Sequence, residues 1–259
     1  MVENVCIDTN NESILALGGL KMCTSFIHRK NGKIIGMNFD NNGMDYSINT
    51  SDPNFFLVLV NGGRGKFPSF GVNKNGEFFN NLVVDSNGKG SYRRPSKNVT
   101  HTTKLITDIL KGNILTENLR EYLENIEVVN VPDWSTHNMI CDSKANVWVV
   151  EPGRGNLYSP TTSSPFFVMT NFSLWDYEKG LTMYECERYK KVSAALSGFS
   201  DLDINSAFKI LESAKQSNEE WKTDFSMVYS EKEHSVYYCL NGNFNERFKY
   251  EFNCRYMSE

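Results

Sequence analysis

The chain has 259 residues, a net charge of −4, 40% hydrophobic and 13% aromatic residues, a soluble globular composition long enough to bury a core without staples. The mild acidity, with one small basic cluster at Tyr92-Arg93-Arg94, leaves no electrostatic footprint for nucleic acid, and no apolar run is long enough to span a bilayer. The six scattered cysteines (Cys6, Cys23, Cys141, Cys186, Cys239, Cys254) form neither a C-x-x-C pair nor a zinc-like spacing, which predicts reduced thiols, a cytoplasmic location and no metal or other cofactor.

Residues 1–22 carry early acidic residues and only a short apolar stretch, Ile14 to Leu17, so they do not read as a secretory signal. Residues 24–39 read as two strands joined at Asn31-Gly32, a pair that favours the tight turn of a hairpin. Phe55–Val60 is a continuous apolar run of strand length, and residues 70–84 read strand, Asn-Gly turn, strand. A Gly/Ser/Asn/Arg-rich stretch, 85–97, is expected to be a long surface loop. Thr102–Leu110 and Thr116–Ile126 have apolar residues at helical spacing, and residues 137–151 return to strand–turn–strand. Phe166–Thr170 is a short strand, and Glu185–Leu196 and Ile204–Ala214 are two further helices. Phe225–Tyr229 and Ser235–Leu240 form a hairpin, followed by a last strand, Phe248–Phe252. Strands grouped apart from helices predict an α+β fold, and the absence of a linker predicts one domain over 23–259.

Cys23 is the candidate nucleophile. A thiol needs a base and something to hold the oxyanion. The chain has four histidines, His28, His101, His137 and His234, and none stands in a recognisable Cys/His protease signature. A thiol is also activated when it belongs to the first residue, whose own α-amino group, with a pKa near 8, takes the proton. That scheme requires Met22 to be removed, and Asp40 ends the strand that pairs with the Cys23 strand, within reach of the freed amine.

Cys23-Thr24 followed by Gly36-x-Asn38-Phe39-Asp40 resembles the start of the choloylglycine hydrolase family, the linear-amide C–N hydrolases of the N-terminal nucleophile superfamily. Further stretches agree in order: Gly71 to Gly76 with Asn80-Asn81, Thr136-His137 through Asp142 to Val150-Glu151, and Met169-Thr170-Asn171. Glu187-Arg188-Tyr189 and Thr223-x-x-Ser226-x-Val228-Tyr229 complete the series. The resemblance implies a four-layer αββα sandwich with antiparallel sheets. It implies Cys23 as nucleophile, its freed amine as base and Asp40 as the group orienting both. Asn171 would supply a side-chain donor to the oxyanion, the backbone N–H of Asn81 a second (Asn80 is the alternative), and Arg188 would close the charge network. The substrate would be a small-molecule N-acyl amide with an apolar acyl group, and a homo-oligomer is compatible with the sequence.

One position departs from the family pattern: Met37 stands where members often carry an arginine against the thiol, with Arg64 or Arg154 as candidate substitutes. Residues 1–22 are read either as a propeptide cleaved autocatalytically or as residues preceding a true start at Met22; an ordered extension on a protein that never uses Cys23 is the third reading. The alternatives to hydrolysis are acyl transfer through the same thioester and a non-catalytic binding protein. The aromatic pairs Phe55-Phe56, Phe78-Phe79 and Phe166-Phe167, with Trp175, are candidates for an acyl pocket, although core packing between the two sheets is the better reading for most of them.

Overall fold

The computed structural model describes residues 23–61, 65–181, 186–218 and 221–252. Residues 1–22 lie outside them, as do Arg64, Glu185 and Cys254. The first hairpin forms as its sequence requires. β1 (Cys23–His28) and β2 (Ile34–Asn41) pair antiparallel from Cys23 opposite Phe39 to His28 opposite Ile34. The turn holds positive φ at both Asn31 (53°) and Gly32 (95°), the mirror-image turn geometry that Asn-Gly adopts with least strain.

Two antiparallel sheets carry the fold. β12 (Phe166–Met169) flanks β1, while β13 (Lys222–Ser230), β14 (Ser235–Leu240) and β15 (Phe248–Glu251) continue outward from β2, giving the order β12-β1-β2-β13-β14-β15. The second sheet is built from β3 (Tyr46–Asn49), β4 (Phe55–Asn61), β5 (Lys66–Asn73), β6 (Phe78–Val83), β9 (Thr136–Cys141), β10 (Val147–Glu151) and β11 (Gly155–Ser159). Its order is β11-β10-β9-β6-β5-β4-β3. A separate parallel pair joins β7 (Val99–His101) to β8 (Glu127–Val129).

Strand alternation sorts the side chains into layers. Ile35, Met37 and Phe39 of β2 meet Phe56, Phe70, Phe78 and Met139 of the second sheet in one core between the sheets. On the outer face of the first sheet, α4 (Glu187–Ser197) and α5 (Ile204–Ser213) pack Val192, Phe208 and Leu211 against Phe26, Val168 and Val228. On the outer face of the second, α1 (Thr102–Leu110) and α2 (Leu119–Asn125) pack Leu105, Ile106 and Leu123 against Phe79, Ile140 and Val150. The result is the expected α+β, four-layer αββα sandwich. Gly36 is where the first sheet needs a bare backbone: a Cβ there would sit 2.4 Å from the Phe26 ring.

The differences from the sequence reading are local. The helix expected over 116–126 begins as a single 3₁₀ turn, Thr116–Asn118, because the Thr116 hydroxyl bonds the Glu77 carboxylate instead of capping a helix. The strands β3, β7, β8 and β11 and the short helix α3 (Leu174–Glu178) were not expected. β11 reads Gly-Asn-Leu-Tyr-Ser, a poor strand sequence, and is held by its five-residue register with β10. The aromatics expected either in a pocket or in the core are largely core: Phe56 and Phe78 are fully buried between the sheets. Among the described residues no helix is long and apolar enough to cross a membrane.

Candidate active site

The registers of the first sheet bring the predicted residues together. Cys23 lies opposite Phe39, so Asp40 follows immediately on β2, and Thr223 of β13 is the Cα partner of Asp40. On the other side, Ser25 pairs with Met169, so the chain leaving β12 carries Asn171 to the level of Cys23. Arg188, in the first turn of α4, reaches down onto the same strand ends.

Six contacts tie this cluster to the Cys23 backbone and its neighbours. The Cys23 N–H donates to Asn171 Oδ1. Arg188 donates from one guanidinium nitrogen to the Cys23 carbonyl at 2.5 Å and to Thr24 Oγ1 at 3.0 Å. Its other terminal nitrogen lies 3.5 Å from Asn171 Oδ1, and its charge lies 3.9 Å from Asp40 Oδ2. Asn171 Nδ2 donates to the Val83 carbonyl at 2.8 Å, which ties the first sheet to the end of β6.

The electrostatics are those of a dry site. Burial, with the Asp40 charge adding to it, pushes the Cys23 thiol up to about 12, against the opposing hydrogen bond to the Asp40 carbonyl (3.8 Å) and the Arg188 charge. Burial also raises Asp40 to about 7; the Thr223 hydroxyl, donating to Oδ1 at 2.5 Å, and Arg188 pull it down, and Asp224 pushes it up. Asp40 Oδ2 is buried and has no hydrogen-bond donor among the described residues. A buried carboxylate oxygen without a donor is costly, and here it lies on the residue whose carbonyl faces the Cys23 thiol.

Cys23, Asp40, Asn171 and Arg188 are therefore brought together. The Asn81 side chain turns to the helix layer, donating to Thr103 Oγ1 at 3.1 Å and accepting from Asn138 Nδ2 at 3.2 Å; the expectation concerned its backbone N–H, which strand alternation directs to the same edge of β6 as that of Val83. The β6 residue in contact with the cluster is Val83, two positions on, because alternation puts Asn80 and Leu82 between the sheets and the site lies at the strand end. Val84 N–H donates to Ser135 O, so the N–H of Val83 points away from β9, toward the side where β5 pairing has stopped at Phe70–Asn80. Asn80, the alternative, spans the sheets to Ser25 Oγ at 2.9 Å.

Met37 lies between the sheets with Ser25 and Met227 as its Cα partners, fully buried. Arg154 is committed to Asp176 and to the Asp85 carbonyl, each at 2.7 Å, and Arg64 lies outside the described residues. The histidines are engaged elsewhere: His28 on the Phe199 carbonyl, His101 as the cap of α1, His137 on Glu151, and His234 in the turn after β13. Thr24 and Thr223 were not foreseen as site residues; the only sequence signal was that each falls inside a motif carried by a neighbour.

A cavity of about 390 Å³ is lined by Ser86, Lys89, Tyr92, Trp134 and Ser135, next to the end of β6 through the Val84 N–H on the Ser135 carbonyl; Cys23, Asp40, Asn171 and Arg188 are not in its wall. Tyr92 and Trp134 in that wall expose 42% and 50% of their surface.

No protein-family model and no curated protein matches the sequence. Solved structures do match its fold. A mutant of the conjugated bile acid hydrolase from Clostridium perfringens superposes with a TM-score of 0.65 at 14% identity, covering 90% of this chain and 93% of that one. Penicillin V acylase from Agrobacterium tumefaciens gives 0.61 at 14% identity over 84% and 83%. A Caenorhabditis elegans ortholog of N-acylethanolamine-hydrolyzing acid amidase gives 0.56 at 14% over 80% and 92%. The chain has the fold that these N-terminal nucleophile hydrolases share.

Proposed function

We propose that this chain is a member of the choloylglycine hydrolase family that cleaves the linear amide bond of an N-acyl substrate, with Cys23 as an N-terminal nucleophile. The observation that carries the reading is the convergence of Asp40, Asn171 and Arg188 on Cys23, with the Cys23 N facing Asn171 Oδ1 and a buried Asp40 oxygen left without a donor. The three solved structures above are named as amide-cleaving enzymes, in agreement with it.

Removal of the residues before Cys23 would convert its N–H into an amine beside Asn171 Oδ1 and Asp40. The amine takes the thiol proton, and the ammonium is held by Asp40. The thiolate attacks the amide carbonyl, forming the C–S bond. The oxyanion takes one hydrogen bond from the second N–H of Asn171 Nδ2, since an amide nitrogen has two and Val83 O uses only one. A backbone N–H at the end of β6 supplies the other; the Asn81 N–H was expected, and the contact with Asn171 favours Val83. The ammonium then protonates the leaving amine as the C–N bond breaks, and water clears the thioester.

The test is a panel of N-acyl amides presented to chain that begins at Cys23 and to its Cys23→Ser variant. Amine release by the first and not by the second is expected. Release by both, or by neither, would overturn the proposal.

A further inference from the structure

Asn171 lies two residues beyond Met169, the last paired residue of β12, where no sheet partner among the described residues fixes the backbone, yet its carboxamide must hold three partners at once. The segment is fixed from downstream. Glu151, at the end of β10, is 1% exposed, and its carboxylate accepts four hydrogen bonds. Ser173 Oγ donates at 2.5 Å, Leu174 N–H at 3.0 Å, Trp175 N–H at 3.2 Å, and His137 Nδ1 lies at 3.0 Å. Three of these come from the three consecutive residues that begin two positions after Asn171. The fourth fixes the carboxylate itself, because β9 and β10 are neighbours in register and alternation turns His137 and Glu151 to the same face.

We propose that Glu151, steadied by His137, is a positioning residue that fixes the turn 172–175 and so aims the Asn171 carboxamide at Cys23. This rests on the reading of Asn171 as part of an amide-cleaving site. An ionised carboxylate in the core is expensive to bury, and an apolar side chain of similar size would pack there at less expense. Burial pushes Glu151 up, but the hydrogen bond and charge of His137, with the Ser173 and Leu174 donors, more than offset it and hold the carboxyl below its ordinary range. The group stays charged, and charge-assisted bonds are the strong ones that set a turn to a fraction of an ångström. On the opposite flank of Asn171, Thr170 Oγ1 donates to Cys186 Sγ at 3.3 Å and Met169 pairs with Ser25.

The experiment reads the Asn171 side-chain NH₂ pair by ¹⁵N NMR, assigned with Asn171→Asp, in the wild type and in Glu151→Gln. Glu151→Gln should move that pair toward the positions of a free asparagine and open it to solvent exchange, while the Phe39 and Met139 amides stay in place. Ser173→Ala, which removes one donor only, should move it in the same direction by less, and it serves if Glu151→Gln does not fold. Turnover supplies a second readout: Glu151→Gln should lower kcat on the order of 10- to 100-fold with KM unchanged. In an Asn171→Ala background the same change should cost nothing further. An unmoved carboxamide pair, or losses that add in full, would overturn the proposal. If the wild type shows no Cys23-dependent turnover, the amide-hydrolase reading falls, and the carboxamide resonances still decide whether Glu151 positions Asn171.

Discussion

Asp40 accepts from Thr223 Oγ1 on one carboxylate oxygen, at 2.5 Å, and faces Arg188 with the other at 3.9 Å, where no hydrogen bond forms. The carboxylate is thus half-satisfied, and burial raises its pKa to about 7. The sign of the consequence follows from linkage. A carboxyl held above its unfolded value binds its proton more tightly when folded, so stability falls as pH rises from about 4 to 7 and is flat above that. In chain that still carries residues before Cys23, Asp40→Asn should therefore be the more stable protein at pH 8, by up to about 4 kcal/mol, with the difference closing toward pH 4. In chain that begins at Cys23 the ammonium supplies the missing partner, and the wild type should regain that ground. Urea midpoints across this pH range, on both forms, check the pair of outcomes.

Arg188 uses both ends of one planar group: one nitrogen binds the Cys23 carbonyl and Thr24 Oγ1 and lies near Asp40, and the other approaches Asn171 Oδ1. A lysine ammonium keeps the charge but cannot reproduce the fork. Arg188→Lys should lower kcat/KM on the order of 100-fold with little loss of thermal stability. Arg188→Ala should lose more, because Asp40 then also loses its opposing charge. Equal activity in wild type and Arg188→Lys would place the arginine outside the reaction.

The fold was legible in the sequence wherever local chemistry decided it. Asn31-Gly32 could make one kind of turn, and the apolar period of Thr102–Leu110 gave that helix its observed ends. The convergence of Cys23, Asp40, Asn171 and Arg188 was legible, because the motifs lie at strand and helix ends that the layers stack together. What stayed hidden depends on cross-sheet register. Nothing in Phe-Phe-Asn-Asn-Leu-Val says which residue ends level with Asn171; the pairing of Val83 with Thr136 decides it, and moves the contact two residues beyond Asn81. The Glu151 carboxylate was hidden for the same reason, since its donors belong to a helix too short to show a period.

Gly36 tests the packing that holds Asp40 in line. A Cβ there meets the Phe26 ring at 2.4 Å, and Phe26 is fully buried under α4 and α5. Gly36→Ala should lower stability by about 1–3 kcal/mol through overpacking. Phe26→Leu, which costs stability alone, should recover part of that loss in the double variant, because the smaller side chain makes room. Thermal melts of the four proteins give the coupling directly; simple additivity would show that the two residues do not compete for the same space.

Alkylation tests whether Cys23 differs from the other thiols. With the backbone N–H intact, Cys23 is buried, 8% exposed, and its thiol stands at about 12, the same value as Cys141, which is fully buried. Neither is then a thiolate at neutral pH, and iodoacetamide should modify both slowly. Freeing the amine changes only one of them. It puts a base beside Cys23 and, once protonated, a positive charge that favours the thiolate, while Cys141 keeps its surroundings. Mass spectrometry of chain beginning at Cys23 should show that residue alkylated at least 10-fold faster than Cys141, Cys186 or Cys239, and Asp40→Asn should reduce the preference because the ammonium loses its counter-charge. The rate should rise with pH through the amine pKa near 8, where the proton leaves. Comparable rates at all four cysteines would mean that the freed amine does not act on the thiol, and that the cluster around Cys23 has another purpose.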